Sequence, residues 1–178
     1  MIFTQTPLKD AVIIDIEKRL DERWFFARTW CAEEFEKNGI FRPPVQSNMS
    51  FTKNKWTMRG MHYQLWPNAE SKLVRCTRGS VYDVIVDIRE DSLTFGKWFW
   101  VELSDVNCKM LFVPEWFAHG FLTLSDNVEF IYQVSEFYSP QSERWIRYDD
   151  PSFGIEWPWD VLFISDKDLA HPNYIFSK

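Results

Sequence analysis

The stretch Val81-Tyr82-Asp83-Val84-Ile85-Val86-Asp87-Ile88 decides the fold class. Tyr82, Val84, Val86 and Ile88 recur at every second residue, with Asp83 and Asp87 on the opposite face, and a period of two is that of a strand. Working outward, from Trp56 to Tyr138, short segments rich in Val, Ile, Phe, Trp and Tyr alternate with turn signals at roughly 8–12-residue intervals. Thr77-Arg78-Gly79-Ser80, Leu103-Ser104-Asp105-Val106-Asn107 and Ser125-Asp126-Asn127 read as hairpin turns. No strand–helix alternation follows, which excludes a parallel α/β sheet. Many short antiparallel strands predict an all-β sandwich or jelly-roll barrel. One helix is expected over Trp30–Asn38, with Thr29 as N-cap and Gly39 as the stop.

The composition agrees. Of 178 residues, 46 % are hydrophobic, enough for one core, so residues 1–178 read as a single domain. Aromatics stand out at 18 %, with 16 Phe and 10 Trp against 6 Gly, a balance that favours β structure. The formal charge of −6 lacks the basic footprint of a nucleic-acid binder. No apolar run approaches the roughly 20 residues of a membrane helix. The start, Met1-Ile2-Phe3-Thr4-Gln5-Thr6-Pro7, has neither a basic nor an apolar leader region, so a cytoplasmic protein is expected. Cys31, Cys76 and Cys108 form no C-x-x-C pair and read as reduced thiols packed as small hydrophobes.

Two of the three histidines fall at expected strand positions. His62 lies in Met58-Arg59-Gly60-Met61-His62-Tyr63-Gln64, and His119 in Pro114-Glu115-Trp116-Phe117-Ala118-His119-Gly120-Phe121. A cupin-type metal site needs a second histidine two residues on and a nearby carboxylate. Here that partner is Gln64 and no Glu follows at suitable spacing, so zinc or iron would be short of ligands. Proton transfer fits better, since a neutral imidazole is a suitable base near neutral pH. Lys72 and Arg59 could stabilise an oxyanion and a tyrosine could supply a proton. Spacing alone does not lift them above surface charges, or Tyr132 above a core aromatic.

Taken together, these segments resemble the dTDP-4-dehydrorhamnose 3,5-epimerase family. Arg59-Gly60-Met61-His62-Tyr63-Gln64, Lys72-Leu73-Val74-Arg75, Asp83 through Arg89 and Pro114 to Phe121 carry the resemblance. Trp145-Ile146-Arg147-Tyr148-Asp149-Asp150-Pro151 and Gly154-Ile155-Glu156-Trp157-Pro158 extend it, so that it runs from about Asp21 to Pro172. The resemblance implies a cupin-like jelly roll (a double-stranded β-helix with short peripheral helices) that forms a homodimer. It implies an isomerase without metal or cofactor, whose partner is a nucleotide-sugar substrate. Its reaction would be epimerisation at carbons 3 and 5 of a nucleotide-linked 4-keto-6-deoxyhexose. The carbon 4 carbonyl acidifies the neighbouring hydrogens, a base removes each, and a proton returns from the opposite face.

Carried over to this chain, the resemblance makes His62 the base, Asp168 its carboxylate partner, Tyr132 the acid, and Lys72 the group facing the enolate oxygen. Arg59 and His119 would line the sugar site. Arg23, Gln46, Asn48, Glu143 and Lys167 would take the remaining nucleotide or sugar contacts, with Tyr138 in the same pocket. Arg28 stands in the nucleotide-contact segment where the family usually has Glu, Met49 where a His is common, and Gln133 where a Lys often follows the tyrosine. The alternatives are a single-site 3- or 5-epimerase, an enzyme for another nucleotide, and, in a different class, a non-catalytic sugar-nucleotide-binding cupin or a metal-dependent one.

A second departure concerns tryptophan. Trp24, Trp56, Trp116 and Trp145, and Trp100 as well, fall where the family usually carries Gly. Glycine at such places often supplies a positive φ or a close backbone approach, and tryptophan does neither cheaply. Either a UGA codon that means Gly has been read as Trp, or the loops and pocket rim are padded with aromatics. The intact mass of natively expressed protein separates the two.

Overall fold

The computed structural model describes residues 1–175. In chain order it contains β1 (Ile2–Gln5), β2 (Val12–Asp15), β3 (Arg19–Asp21), β4 (Trp24–Phe26), α1 (Ala32–Lys37), β5 (Gln46–Thr52) and β6 (Met58–Gln64). There follow β7 (Lys72–Arg78), β8 (Ser80–Asp87), β9 (Trp98–Ser104), β10 (Met110–Val113), β11 (Phe117–Thr123), β12 (Val128–Val134), β13 (Glu143–Trp145) and α2 (Asp166–Leu169). Two sheets face each other, in the orders β1-β2-β10-β7-β12-β5 and β13-β6-β11-β8-β9, and β3 and β4 form a separate ribbon. The pairing of these strands is antiparallel. This is the expected all-β jelly roll. No described helix is long and apolar enough to cross a membrane.

The β8 alternation is seen, with a consequence that the period alone does not carry: both faces are buried. Val81 and Ile85 point between the sheets, against Val74, Leu111, Phe117 and Phe130. Tyr82, Val84 and Val86 face outward and are covered by Ile146, Phe153 and the segment that follows. The outer face of the six-stranded sheet is covered by α1, whose Phe35 packs on Val12, Ile14, Leu73 and Met110.

Three local readings need correction. The turns at 77–80, 103–107 and 125–127 are not hairpins: β7 and β8, β9 and β10, and β11 and β12 lie in opposite sheets, so each turn is a corner between layers. Thr29 does not cap α1. The helix starts at Ala32, with extended Cys31 as N-cap and no side-chain cap bond. Of the three cysteines only Cys76 is buried in the core, whereas Cys31 and Cys108 are half-buried.

Two glycines bring the functional strands together. Gly60 on β6 has φ +119, and a Cβ there would lie 2.6 Å from the Gly120 Cα on β11. A Cβ on Gly120 would lie 2.7 Å from the Arg59 carbonyl oxygen. Only glycine permits that crossing, and beside it the register puts His119 opposite His62. Three tryptophans also take positive φ: Trp24 at 115°, Trp56 at 61° and Trp116 at 63°. Trp100 and Trp145 do not; they lie in β9 and β13, where their rings stack on Tyr82 and His171 with centroids 4.5 and 4.3 Å apart.

Candidate active site

Between the sheets lies a cavity of about 450 Å³ with walls of different chemistry. The five-stranded sheet supplies Arg59 and His62 from β6, His119 from β11 and Glu143 from β13. The six-stranded sheet supplies Gln46, Asn48 and Ser50 from β5, Lys72 from β7 and Tyr132 from β12. Strand alternation explains the β5 set: Gln46, Asn48 and Ser50 share one face, and Met49 and Phe51 are exposed on the other. Phe121 and Phe130 belong to both the lining and the core, so they tie the cavity to the packed interior.

His62 Nε2 lies 2.7 Å from Asp168 Oδ1, across 106 residues of sequence. Asp168 is placed by the short helix α2, whose N-cap Ser165 accepts from the Asp168 N–H at 3.1 Å. Burial pushes the Asp168 carboxyl up, but the hydrogen bond and charge of His62, with further bonds from Ser165 and Gly60, outweigh it. The group is therefore held below the usual carboxylate range and is ionised. Because a carboxylate only accepts, the facing His62 nitrogen carries a proton, so in the neutral imidazole the other nitrogen is the one that can act as a base.

A second pair lies beside the first. His119 Nε2 lies 2.9 Å from Asp83 Oδ2 and 3.1 Å from Oδ1. Asp83 has no exposed surface, and burial raises its carboxyl despite His119 and Lys72. Lys72 Nζ donates to the His62 carbonyl at 3.2 Å and lies 3.3 Å from a Glu70 carboxylate oxygen. The Tyr132 phenol is raised by burial and by the charge of Glu70, so it stays protonated through the neutral range. Arg59 is held by its donation to Thr52 Oγ1 at 2.8 Å. Glu143 accepts from Lys167 at 2.8 Å and from the Tyr138 hydroxyl at 3.2 Å.

Thus ten of the expected residues line one cavity: His62, Asp168, Tyr132, Lys72, Gln46, Asn48, Arg59, His119, Tyr138 and Glu143. Lys167 reaches it through Glu143. Arg23 and Arg28 do not line it. Arg23 is on the turn between β3 and β4, paired with Asp21, and Arg28 pairs with Glu34 at 2.8 Å. Sequence reasoning missed His171 and Glu70. His171 Nε2 lies 3.4 Å from Asp168 Oδ1, and its spacing of three residues from Asp168, just past the end of α2, was the available signal.

A model of the dTDP-4-dehydrorhamnose 3,5-epimerase family matches residues 5–175. The chain is 45 % identical over 172 residues to a dTDP-4-dehydrorhamnose 3,5-epimerase of Shigella flexneri, covering 96 % of this chain and 94 % of that one. A crystal structure of the epimerase from Elizabethkingia anophelis matches with a TM-score of 0.94 and 38 % identity, over 98 % of this chain and 96 % of that one. The Legionella pneumophila enzyme, solved in complex with dTDP-4-keto-L-rhamnose, matches with a TM-score of 0.90 and 37 % identity, over 98 % and 99 % of the two chains. On sequence and fold alike, the chain belongs to the dTDP-4-dehydrorhamnose 3,5-epimerase family.

Proposed function

We propose that this chain converts dTDP-4-dehydro-6-deoxyglucose to dTDP-4-dehydrorhamnose by epimerisation at carbons 3 and 5, in a single cupin-like domain acting in the cytoplasm. The observation that carries the reading is the facing arrangement of the cavity: an imidazole backed by a carboxylate on one sheet, and a protonated phenol on the other. His62 takes the proton from the carbon next to the keto group, and Asp168 stabilises the resulting imidazolium. Lys72 meets the developing enolate oxygen, where one such donor contributes roughly 3–4 kcal/mol. Tyr132 returns a proton to the opposite face. The experiment is solvent deuterium incorporation into dTDP-4-dehydro-6-deoxyglucose. Label entering at both carbons is the expected result, label at one carbon marks a single-site enzyme, and none at either rejects the epimerase reading.

Asp168→Asn is expected to keep the fold and to lower turnover at least tenfold, about 1.4 kcal/mol, because a neutral amide does not stabilise the imidazolium. A smaller loss in steady-state kinetics assigns that task to another carboxylate. Tyr132→Phe separates the two halves of the reaction. The ring and its packing remain, so His62 still forms the enolate and returns a solvent proton to the original face. Exchange should therefore persist while inverted product falls steeply. Inversion at the wild-type rate removes Tyr132 from the role.

The reading includes a homodimer. β5 is an edge strand with Met49 and Phe51 exposed, and the β3–β4 ribbon exposes Leu20, Trp24 and Phe26. A second copy covering these surfaces would bring Arg23 and Arg28, which lie outside their own cavity, toward its nucleotide. Light scattering is expected to give twice the chain mass, and a monomer at micromolar concentration rejects the dimer.

A further inference from the structure

Among the described residues, two buried side-chain polar atoms have no hydrogen-bond partner, Ser50 Oγ and His171 Nε2. Buried polar atoms without a hydrogen bond are uncommon and call for an explanation, a bound water or ion among them. His171 is 4 % exposed, with its ring stacked on Trp145, and its Nε2 is aimed at the oxygen of Asp168 that His62 already engages. The His62 and His171 rings are nearly perpendicular, at 77° with centroids 6.0 Å apart. The ligand atoms of His62, Asp168 and His171 all lie within 4.8 Å of one another. Two imidazoles and one carboxylate converging from different directions, beside an open cavity, form the donor set of a three-ligand zinc site with its fourth position free.

We propose that His62, Asp168 and His171 form a zinc-class divalent-cation site that switches the enzyme off. The inference rests on His62 being the base. A cation bound at His62 Nε2 displaces the proton held there to Nδ1, and the nitrogen that would accept the substrate proton is then already protonated. No proton is lost from the imidazole, but its free base is. Metal and catalysis therefore exclude each other, and the cation is an inhibitor rather than a cofactor.

The test is zinc titration of chelator-treated protein by calorimetry, with cobalt absorbance as a report of coordination, alongside deuterium exchange. Wild type is expected to bind one zinc per chain and to lose exchange as it does so. His171→Phe keeps a stacked ring without the nitrogen, and His171→Ala is the second variant should Phe not fold. Either should remain active in chelator and lose zinc affinity at least tenfold. Absence of zinc binding to wild type, or equal binding by the variant, overturns the site. A variant that shifts the pH profile in chelator while wild type binds no zinc makes His171 a positioning residue instead. Because calorimetry needs no activity, zinc binding in a chain that never exchanges deuterium rejects the epimerase reading and not the metal site.

The backbone carries a second, independent inference. Positive φ occurs at Gly39, Gly60, Gly79, Gly96 and Gly154, and at the non-glycine residues Asp10, Trp24, Trp56, Cys108, Trp116 and Asn127. Asp and Asn are the L residues that tolerate this region, while a bulky aromatic there is an outlier. Yet half of the non-glycine positions are tryptophan, and Trp24, at 115°, is beyond even the left-handed helical range of about +50 to +70°. We infer that positions 24, 56 and 116 are glycine in the chain made by its own cell, through UGA codons decoded as glycine. Peptide mass spectrometry of protein purified from that cell is expected to find glycine at all three. Tryptophan at these positions, or UGG codons in the gene, overturns the inference.

Discussion

His62→Ala is expected to abolish deuterium exchange at both carbons, a loss of at least the roughly 10²–10⁴-fold that a positioned general base contributes. The other histidines are poor substitutes. The His119 side chain is 9 % exposed against 33 % for His62, and it leans on Asp83, whose carboxyl is pushed up by burial. His171 sits behind the pair, with its Nε2 directed at Asp168 and not at the cavity. Removing His62 leaves the buried Asp168 charge without its partner, which is itself destabilising. His62→Gln is therefore the companion variant, since its amide donates to Asp168 but offers no base. Both should be inactive, and the Gln variant should melt closer to wild type. Exchange within tenfold of wild type in either folded variant removes His62 from the mechanism.

What the sequence makes legible depends on the range of the interaction. The β8 alternation and the run of short strands are local, and they suffice for the fold class. Corners escaped because Gly79, Asp105 and Asn127 carry the same turn chemistry whether the chain doubles back in one sheet or crosses to the other. β5 escaped because it turns Gln46, Asn48 and Ser50 inward, toward a cavity, and Met49 and Phe51 outward, which inverts the usual pattern. The His62–Asp168 pair spans 106 residues and has no local signature, so only the family resemblance could join them. The Asp83–His119 pair was missed for a related reason. The alternation says only that Asp83 faces away from Tyr82 and Val84, whereas it is fully buried and within 2.9 Å of the His119 ring nitrogen.

Replacing Trp24 by glycine should stabilise the fold, because strain at a sparsely populated backbone position costs of order 1–3 kcal/mol and Trp24 has little to lose. Its side chain is 71 % exposed, so its removal forfeits little buried area. Against the relief stands the added freedom of glycine in the unfolded chain, of order 0.5–1 kcal/mol. A net gain of about 1–2 kcal/mol corresponds to roughly 2–8 °C in Tm for a chain of this size. Trp56 and Trp116 differ, since both pack against the outer core, and Trp56 also lies 5.0 Å from the Trp159 ring and 4.0 Å from Lys55 Nζ. There the relief is offset by lost packing, and single glycine variants should be near neutral. The discriminating control is Trp24→Ala. Alanine and glycine both delete the exposed ring, but only glycine deletes the Cβ that makes φ 115° costly. Denaturant melts should therefore rank Trp24→Gly above wild type and above Trp24→Ala. Equal stability of the Gly and Ala variants would show that the backbone at position 24 is unstrained, and would remove the physical ground for glycine there.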